Sequence, residues 1–290
     1  MDRGRLLSSV KRIHLVASRL VETLLAGDYR SVFRGPGIEF DEVREYVEGD
    51  DVRQIDWNVS SRMNTPYTKT FREERELTLV LVVDVSASLM FGHKTSRRRA
   101  VVAELFALLS LAAAVNHDRV GAVLFSDRIE SWVAPKTGKR HALRLIADTV
   151  AVQPAGKGSD LALALRTTAE TLKRRGVVVV ISDFKTGNYL PDLTLMGRRH
   201  DVIAIRVLDP LDREFPETGS VRLQDPETRQ TLRAAGGSAA FREAYRQHRE
   251  DEERSWVSEC RKRKIGTLDV HTDGDPAGQL IRYFEKRKSR

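Results

Sequence analysis

The sequence predicts an α/β fold: a doubly wound, mostly parallel sheet with helices on both faces. Three observations carry the prediction. Apolar, β-branched runs at 79–83, 177–181 and 202–208 show no alternation, as expected of strands buried on both sides. Helical stretches separate them, the pattern of parallel strands joined by crossovers. Two of the runs end on Asp84 and on Ser182-Asp183, polar groups at the edge where open α/β sheets bind ligands.

Residues 5–26 place Leu6, Val10, Ile13, Ala17, Leu20 and Leu24 at the spacing of an amphipathic helix, which Gly27 stops. From 28 to 76 the texture changes to mixed charge broken by turns at Gly35-Pro36-Gly37, Gly49-Asp50-Asp51 and Asn64-Thr65-Pro66. Tyr67–Phe71 reads as a strand. Ion pairs and a local core including Val43, Tyr46, Val47, Ile55 and Trp57 make this a small, irregular β-containing element. The expected division is therefore 1–76, helix and accessory element, and 77–290, the α/β domain with a C-terminal helical extension.

Ala100–Val115 is apolar nearly all round and reads as a buried helix, too interrupted to cross a membrane. Val120–Phe125 is a strand and Ile129–Val133 a hairpin edge. Helices fit 141–150 and 161–173, on either side of the loop Gln153–Ser159. Val221–Leu223 and Thr231–Arg233 form a hairpin across Asp225-Pro226-Glu227. A charged helix over 239–263, a strand at 267–271 and a terminal helix from Pro276 complete the chain.

An apolar share of 41% supports a proper core, and 31% charged residues imply a solvated surface. The single cysteine, Cys260, excludes a disulfide framework and a cysteine-rich metal site, and points to a reducing, cytoplasmic setting. Near the N-terminus Lys11, Arg12, Arg19 and Glu22 interrupt every apolar run, so neither a signal h-region nor a membrane span is expected. The net charge of +8 would suit a polyanion. However, the basic clusters 97–99, 173–175, 261–264 and 286–288 are scattered, lack interleaved aromatics and read as solvated helix ends, which speaks against a nucleic-acid partner.

The stretch with most chemistry is Leu77–Gly92. Asp84, Ser86 and Ser88 leave a buried strand at a spacing of two. One carboxylate and two hydroxyls make a hard, all-oxygen site suited to Mg²⁺ or Mn²⁺. A turn followed by a helix cap uses the same residues and is the competing reading. Two later loops offer partners at the same sheet edge: Ser159, before a helix that Asp160 caps, and Asp183. Asp127 reads as a turn residue.

In order, the apolar strand, Asp84-x-Ser86-x-Ser88, the Gly-rich loop with Ser159, and Asp183 resemble the metal-ion-dependent adhesion site of the von Willebrand factor A fold. The block before them carries Phe33-Arg34-Gly35-Pro36-Gly37-Ile38-Glu39-Phe40-Asp41, Arg44-Glu45-Tyr46, the run Gly49–Trp57 and Ser61-Arg62. It is similar to the signature of a bacterial and archaeal group catalogued as a domain of unknown function and often encoded beside MoxR-type AAA+ ATPases.

The resemblance implies that Asp84, Ser86, Ser88, Ser159 and Asp183 are metal ligands, directly or through water. Ser159 stands where the pattern usually has Thr. It further implies a non-enzymatic protein-interaction module, an adaptor of a MoxR-type ATPase in assembling or remodelling proteins. The partner, ATPase or client, would supply an acidic residue to the metal.

Two alternatives stand beside this reading. A Mg²⁺-dependent phosphotransferase or phosphatase would place a second Asp as general acid where Ser86 stands. A structural scaffold with a vestigial site would need neither. No histidine stands in a nucleophile motif, and Gly156-Lys157-Gly158-Ser159 lacks phosphate-loop spacing.

Overall fold

The computed structural model describes residues 39–72, 77–90, 97–224 and 230–288. These fall into two compact units that divide between Glu76 and Leu77. The helix expected over 5–26 and the hairpin turn at 225–227 lie outside the described residues.

In the first unit, β1 (Glu39–Glu45) pairs antiparallel with β2 (Tyr67–Arg72), and α1 (Trp57–Met63) lies between them in sequence. Asp56 caps α1, accepting from the amides of Asn58 and Val59 at 3.0 and 3.2 Å, and also pairs with Lys69. Arg44 meets Asp50 at 2.7 Å. The ion pairs match the sequence reading, but the local core differs from it. Val43, Tyr46 and Ile55 are half-buried, while Val47 and Trp57 are 60% and 69% exposed. Two strands and a seven-residue helix have too little surface to enclose those side chains.

The second unit is built on a six-stranded sheet in the order β10-β7-β6-β3-β4-β5. Its strands are β3 (Thr78–Asp84), β4 (Arg119–Phe125), β5 (Ile129–Lys136), β6 (Val177–Ser182), β7 (Asp201–Leu208) and β10 (Gly266–His271). All pair in parallel except β5, the antiparallel edge. The separate hairpin of β8 (Ser220–Gln224) and β9 (Thr231–Ala235) matches the one expected.

Alternate residues of β3 explain why its sequence does not alternate. Leu79, Leu81 and Val83 face a core built with α2 (Arg97–Val115), α3 (Lys139–Ala151) and α7 (Pro276–Lys288). Val80 and Val82 face the opposite core, with α4 (Leu161–Thr171), α5 (Leu190–Arg199) and α6 (Ala239–Lys262). None of the five has measurable exposure. Burial of each contributes about 1.5–3 kcal/mol before chain entropy, so the end of β3 is a rigid mount.

The sequence reading assigns no element to 184–201, where α5 lies. Only Leu193 and Met196 of this ten-residue helix are buried, and Pro191 stands in its first turn, so its periodic signal is short. Among the described residues no helix is long and apolar enough to cross a membrane.

Candidate metal centre at the carboxyl edge of the sheet

The chain runs from β3 to β4 and β5 on one side, then returns to place β6 on the other. The carboxyl end of β3 is thus the point where the winding reverses, and a crevice forms there. Asp84, the last residue of β3, is 1% exposed. Its Oδ1 accepts the Ser86 amide at 2.9 Å, and its Oδ2 accepts the hydroxyls of Ser159 and Ser182, both at 2.8 Å. The Ser86 and Ser88 hydroxyls lie 3.0 Å apart.

Asp183 follows β6 and is 4% exposed. Its Oδ1 accepts the Lys185 amide at 3.1 Å, whereas Oδ2 is buried with no hydrogen-bond partner. The structure therefore brings Asp84, Ser86, Ser88 and Ser159 into one hydrogen-bonded group with Asp183 beside it. Asp160 caps α4 through the Leu163 amide, as expected from sequence.

Ser182 is an additional member, a buried hydroxyl visible in the sequence only as the polar end of an apolar strand. A second addition is a charge network. Arg98, read from sequence as part of a solvated basic cluster, is 6% exposed at the start of α2. Its Nη2 donates to Asp212 Oδ2 at 2.5 Å, and its Nη1 lies 3.3 Å from the Ser88 carbonyl and 3.7 Å from Asp183 Oδ2. Lys185 also pairs with Asp212. Burial pushes the Asp212 carboxyl up, but Lys185 and Arg98 outweigh it and hold the group below the usual carboxylate range.

Asp84 has no such partner. Among the described residues only hydroxyl and amide donors reach it. Burial, and then the nearby Asp183, push its carboxyl up to about 6. No cluster of three or more His, Cys, Asp or Glu is placed to hold a metal among the described residues, so any ion here relies on two carboxylates and neutral hydroxyls. Two observations match that set to a hard divalent cation: the buried Asp183 Oδ2, which accepts no hydrogen bond and has only Arg98 at 3.7 Å among the described ion pairs, and two buried carboxylates whose mutual repulsion a positive charge would relieve. The residues fit such an ion. Beside the centre a cleft of about 930 Å³ runs between the ends of β6 and β7 and helix α6, past Phe184, Lys185, Tyr189, Arg206 and Trp256.

Fold and site together define an α/β domain with an oxygen-lined carboxylate and hydroxyl centre at the carboxyl edge of its sheet. The chain belongs to the family described as "Protein of unknown function DUF58", which matches residues 42–255. It is 33% identical over 296 residues to Uncharacterized protein Rv1480 of Mycobacterium tuberculosis, covering 99% of this chain and 92% of that one. The figures are the same for Uncharacterized protein Mb1516 of Mycobacterium bovis. Among solved structures, BatB from Bacteroides thetaiotaomicron is similar at 13% identity and TM-score 0.45, over 74% of this chain and 100% of that chain. The SpRpn10 VWA domain is similar at 8% and 0.41, over 71% and 94%.

Proposed function

We propose that this protein is a metal-dependent protein-interaction module in which Asp84, Ser86, Ser88, Ser159 and Asp183 hold Mg²⁺ or Mn²⁺. The observation that carries the proposal is the convergence of the Ser159 and Ser182 hydroxyls and the Ser86 amide on Asp84, next to a buried Asp183 oxygen that accepts no hydrogen bond. A divalent ion bound there supplies a hard, positively charged point that attracts a carboxylate from another protein. The chain's own residues do the rest. Asp84 orients Ser86 and Ser159 through its two oxygens, Asp183 faces the centre from β6, and Arg98 with Lys185 balances the remaining acidic charge. The cleft along α6 gives a partner segment room beside the centre.

The sequence resemblance supports a particular partner, a MoxR-type AAA+ ATPase, and a role as its adaptor in assembling or remodelling client proteins. Ser86 at the position where a phosphotransferase has its general acid supports recognition over catalysis. The test is binding of a purified MoxR-type ATPase from the same organism, measured by biolayer interferometry in MgCl₂ and in EDTA. Chelation and the Ser86→Ala/Ser88→Ala variant are each expected to abolish binding. Binding indifferent to both, or phosphoester turnover lost in Asp84→Ala, would overturn the proposal.

A further inference from the structure

Ser159 reaches Asp84 from the end of a Gly-rich loop. The loop 152–160 links α3 to α4 and contains Gly156-Lys157-Gly158, residues that lose much conformational freedom on ordering and contribute no apolar anchor. Arg99 donates to the Val152 carbonyl at the start of the loop, at 2.5 Å, and the turn between β4 and β5 together with the start of β5 holds its centre. The Gly156 amide donates to Glu130 Oε1 at 2.9 Å. The Lys157 and Gly158 amides both donate to Asp127 Oδ2, at 3.1 and 3.4 Å. The Asp160 amide donates to the Ser126 carbonyl at 2.8 Å, and the Ser126 hydroxyl to Glu130 at 2.5 Å.

The approach is close enough that any side chain at 156 would have to displace Asp127 and Ser126 from the loop. A Cβ there would lie 2.1 Å from Asp127 Oδ1 and 2.2 Å from the buried Ser126 hydroxyl. On the opposite side the loop meets the centre itself. The Thr186 hydroxyl donates to the Ser159 carbonyl at 2.7 Å, and the Ala87 amide to the Lys157 carbonyl at 3.4 Å.

We propose that Asp127 and Glu130 are positioning residues for the centre: their carboxylates clamp three successive loop amides and thereby deliver the Ser159 hydroxyl to Asp84. Two acidic residues near a candidate cation site invite assignment as further ligands. Here Asp127 Oδ2 and Glu130 Oε1 accept the loop amides and Asp127 Oδ1 pairs with Arg128, in charge-assisted hydrogen bonds that are about twice as strong as neutral ones. Consistent with this, the Lys157 amide and then Arg128 hold Asp127 below the usual carboxylate range. For Glu130, burial pushes upward, and the Ser126 hydroxyl with the amides of Gly156 and Ala155 outweighs it. The structural role stands on geometry; its effect on ion affinity rests on the function proposed above.

The test combines amide hydrogen exchange with a double-mutant cycle on the full chain. In Asp127→Ala the Lys157 and Gly158 amides should exchange about tenfold faster or more, as should Gly156 in Glu130→Ala, while β4 amides stay protected. Mg²⁺ affinity should fall in Asp127→Ala by about the factor seen in Ser159→Ala, with no further loss in the double variant. Asp127→Asn, which keeps an acceptor oxygen, should recover part of both effects and serves if the alanine variant does not fold. Unchanged loop exchange refutes the clamp. An Asp127→Ala affinity loss as large in the Ser159→Ala background as in the wild type shows a long-range charge effect and refutes positioning. If the wild type binds neither Mg²⁺ nor Mn²⁺, the proposed function fails, and the exchange measurement alone decides the clamp.

Discussion

Arg98→Met removes the guanidinium from the buried network and keeps most of the aliphatic stem. Asp212 then retains Lys185 and the Asp209 amide, and Asp183 loses the cation 3.7 Å from its Oδ2. Breaking a buried pair by removing one partner costs about 3–5 kcal/mol. The side chains of Arg98, Asp183 and Asp212 are 7%, 2% and 8% exposed, so solvent screening relieves little of that cost. Because Lys185 stays on Asp212, the expected loss is near the lower end, about 3 kcal/mol. For a domain of this size that lowers Tm by about 6–12 °C.

The loss should depend on pH in a defined direction. Asp212 titrates below the usual range in the folded protein, so its pairing adds stability that is present above the unfolded value, about 3.9. That stability is lost as pH falls through the lower, folded value. Urea unfolding of both proteins between pH 7 and pH 3 should show the widest gap near neutrality and a narrowing gap below about pH 4. A loss under about 1 kcal/mol at pH 7, or a gap that stays constant to pH 3, would show that Arg98 and Asp212 do not form a stabilising buried pair.

Asp84 titrates in the opposite sense. Its folded pKa is raised to about 6, so in chelator the carboxyl costs stability as pH rises from about 3.9 to 6, and the full cost, on the order of 3 kcal/mol, persists above. Asp84→Asn in EDTA is therefore expected to melt above the wild type at pH 7.5 and level with it near pH 4; melting curves that differ equally at both pH values would count against this. Cys260 has no exposure, and burial pushes its thiol up to about 11 against the opposing pull of Arg206 and Arg263. It should stay unreactive to a disulfide reagent in the native protein and react fully in urea, a result that rapid native labelling would contradict.

What the sequence made legible follows from how local each signal was. The buried strands announced themselves because residues 79–83 and 177–181 are unbroken apolar runs, and Asp84, Ser86 and Ser88 stand directly after the first. Their union with Asp183 needed only the rule that parallel strands share one ligand-binding edge, whereas Ser159, in a loop between two helices, was reached through the resemblance to the adhesion-site pattern. Arg98 carried no such signal. It sits between Arg97 and Arg99, and only the phase of α2 turns it inward, towards an aspartate 114 residues away. Asp127 read as a turn residue for a similar reason, because the amides it accepts lie 30 and 31 residues further on. The exposed Trp57 and Val47 show the converse error, in which two apolar residues were assigned to a local core that leaves them in solvent while Val43, Tyr46 and Ile55 are half-buried.

Whether Asp84 organises a divalent-ion site is decided by isothermal titration calorimetry. MgCl₂ and MnCl₂ would be titrated into chelator-treated wild type and Asp84→Ala, with circular dichroism to establish that the variant is folded. Saturable binding is expected in the wild type and none in Asp84→Ala. Absence of binding in the wild type, or binding that survives the substitution, would contradict such a site.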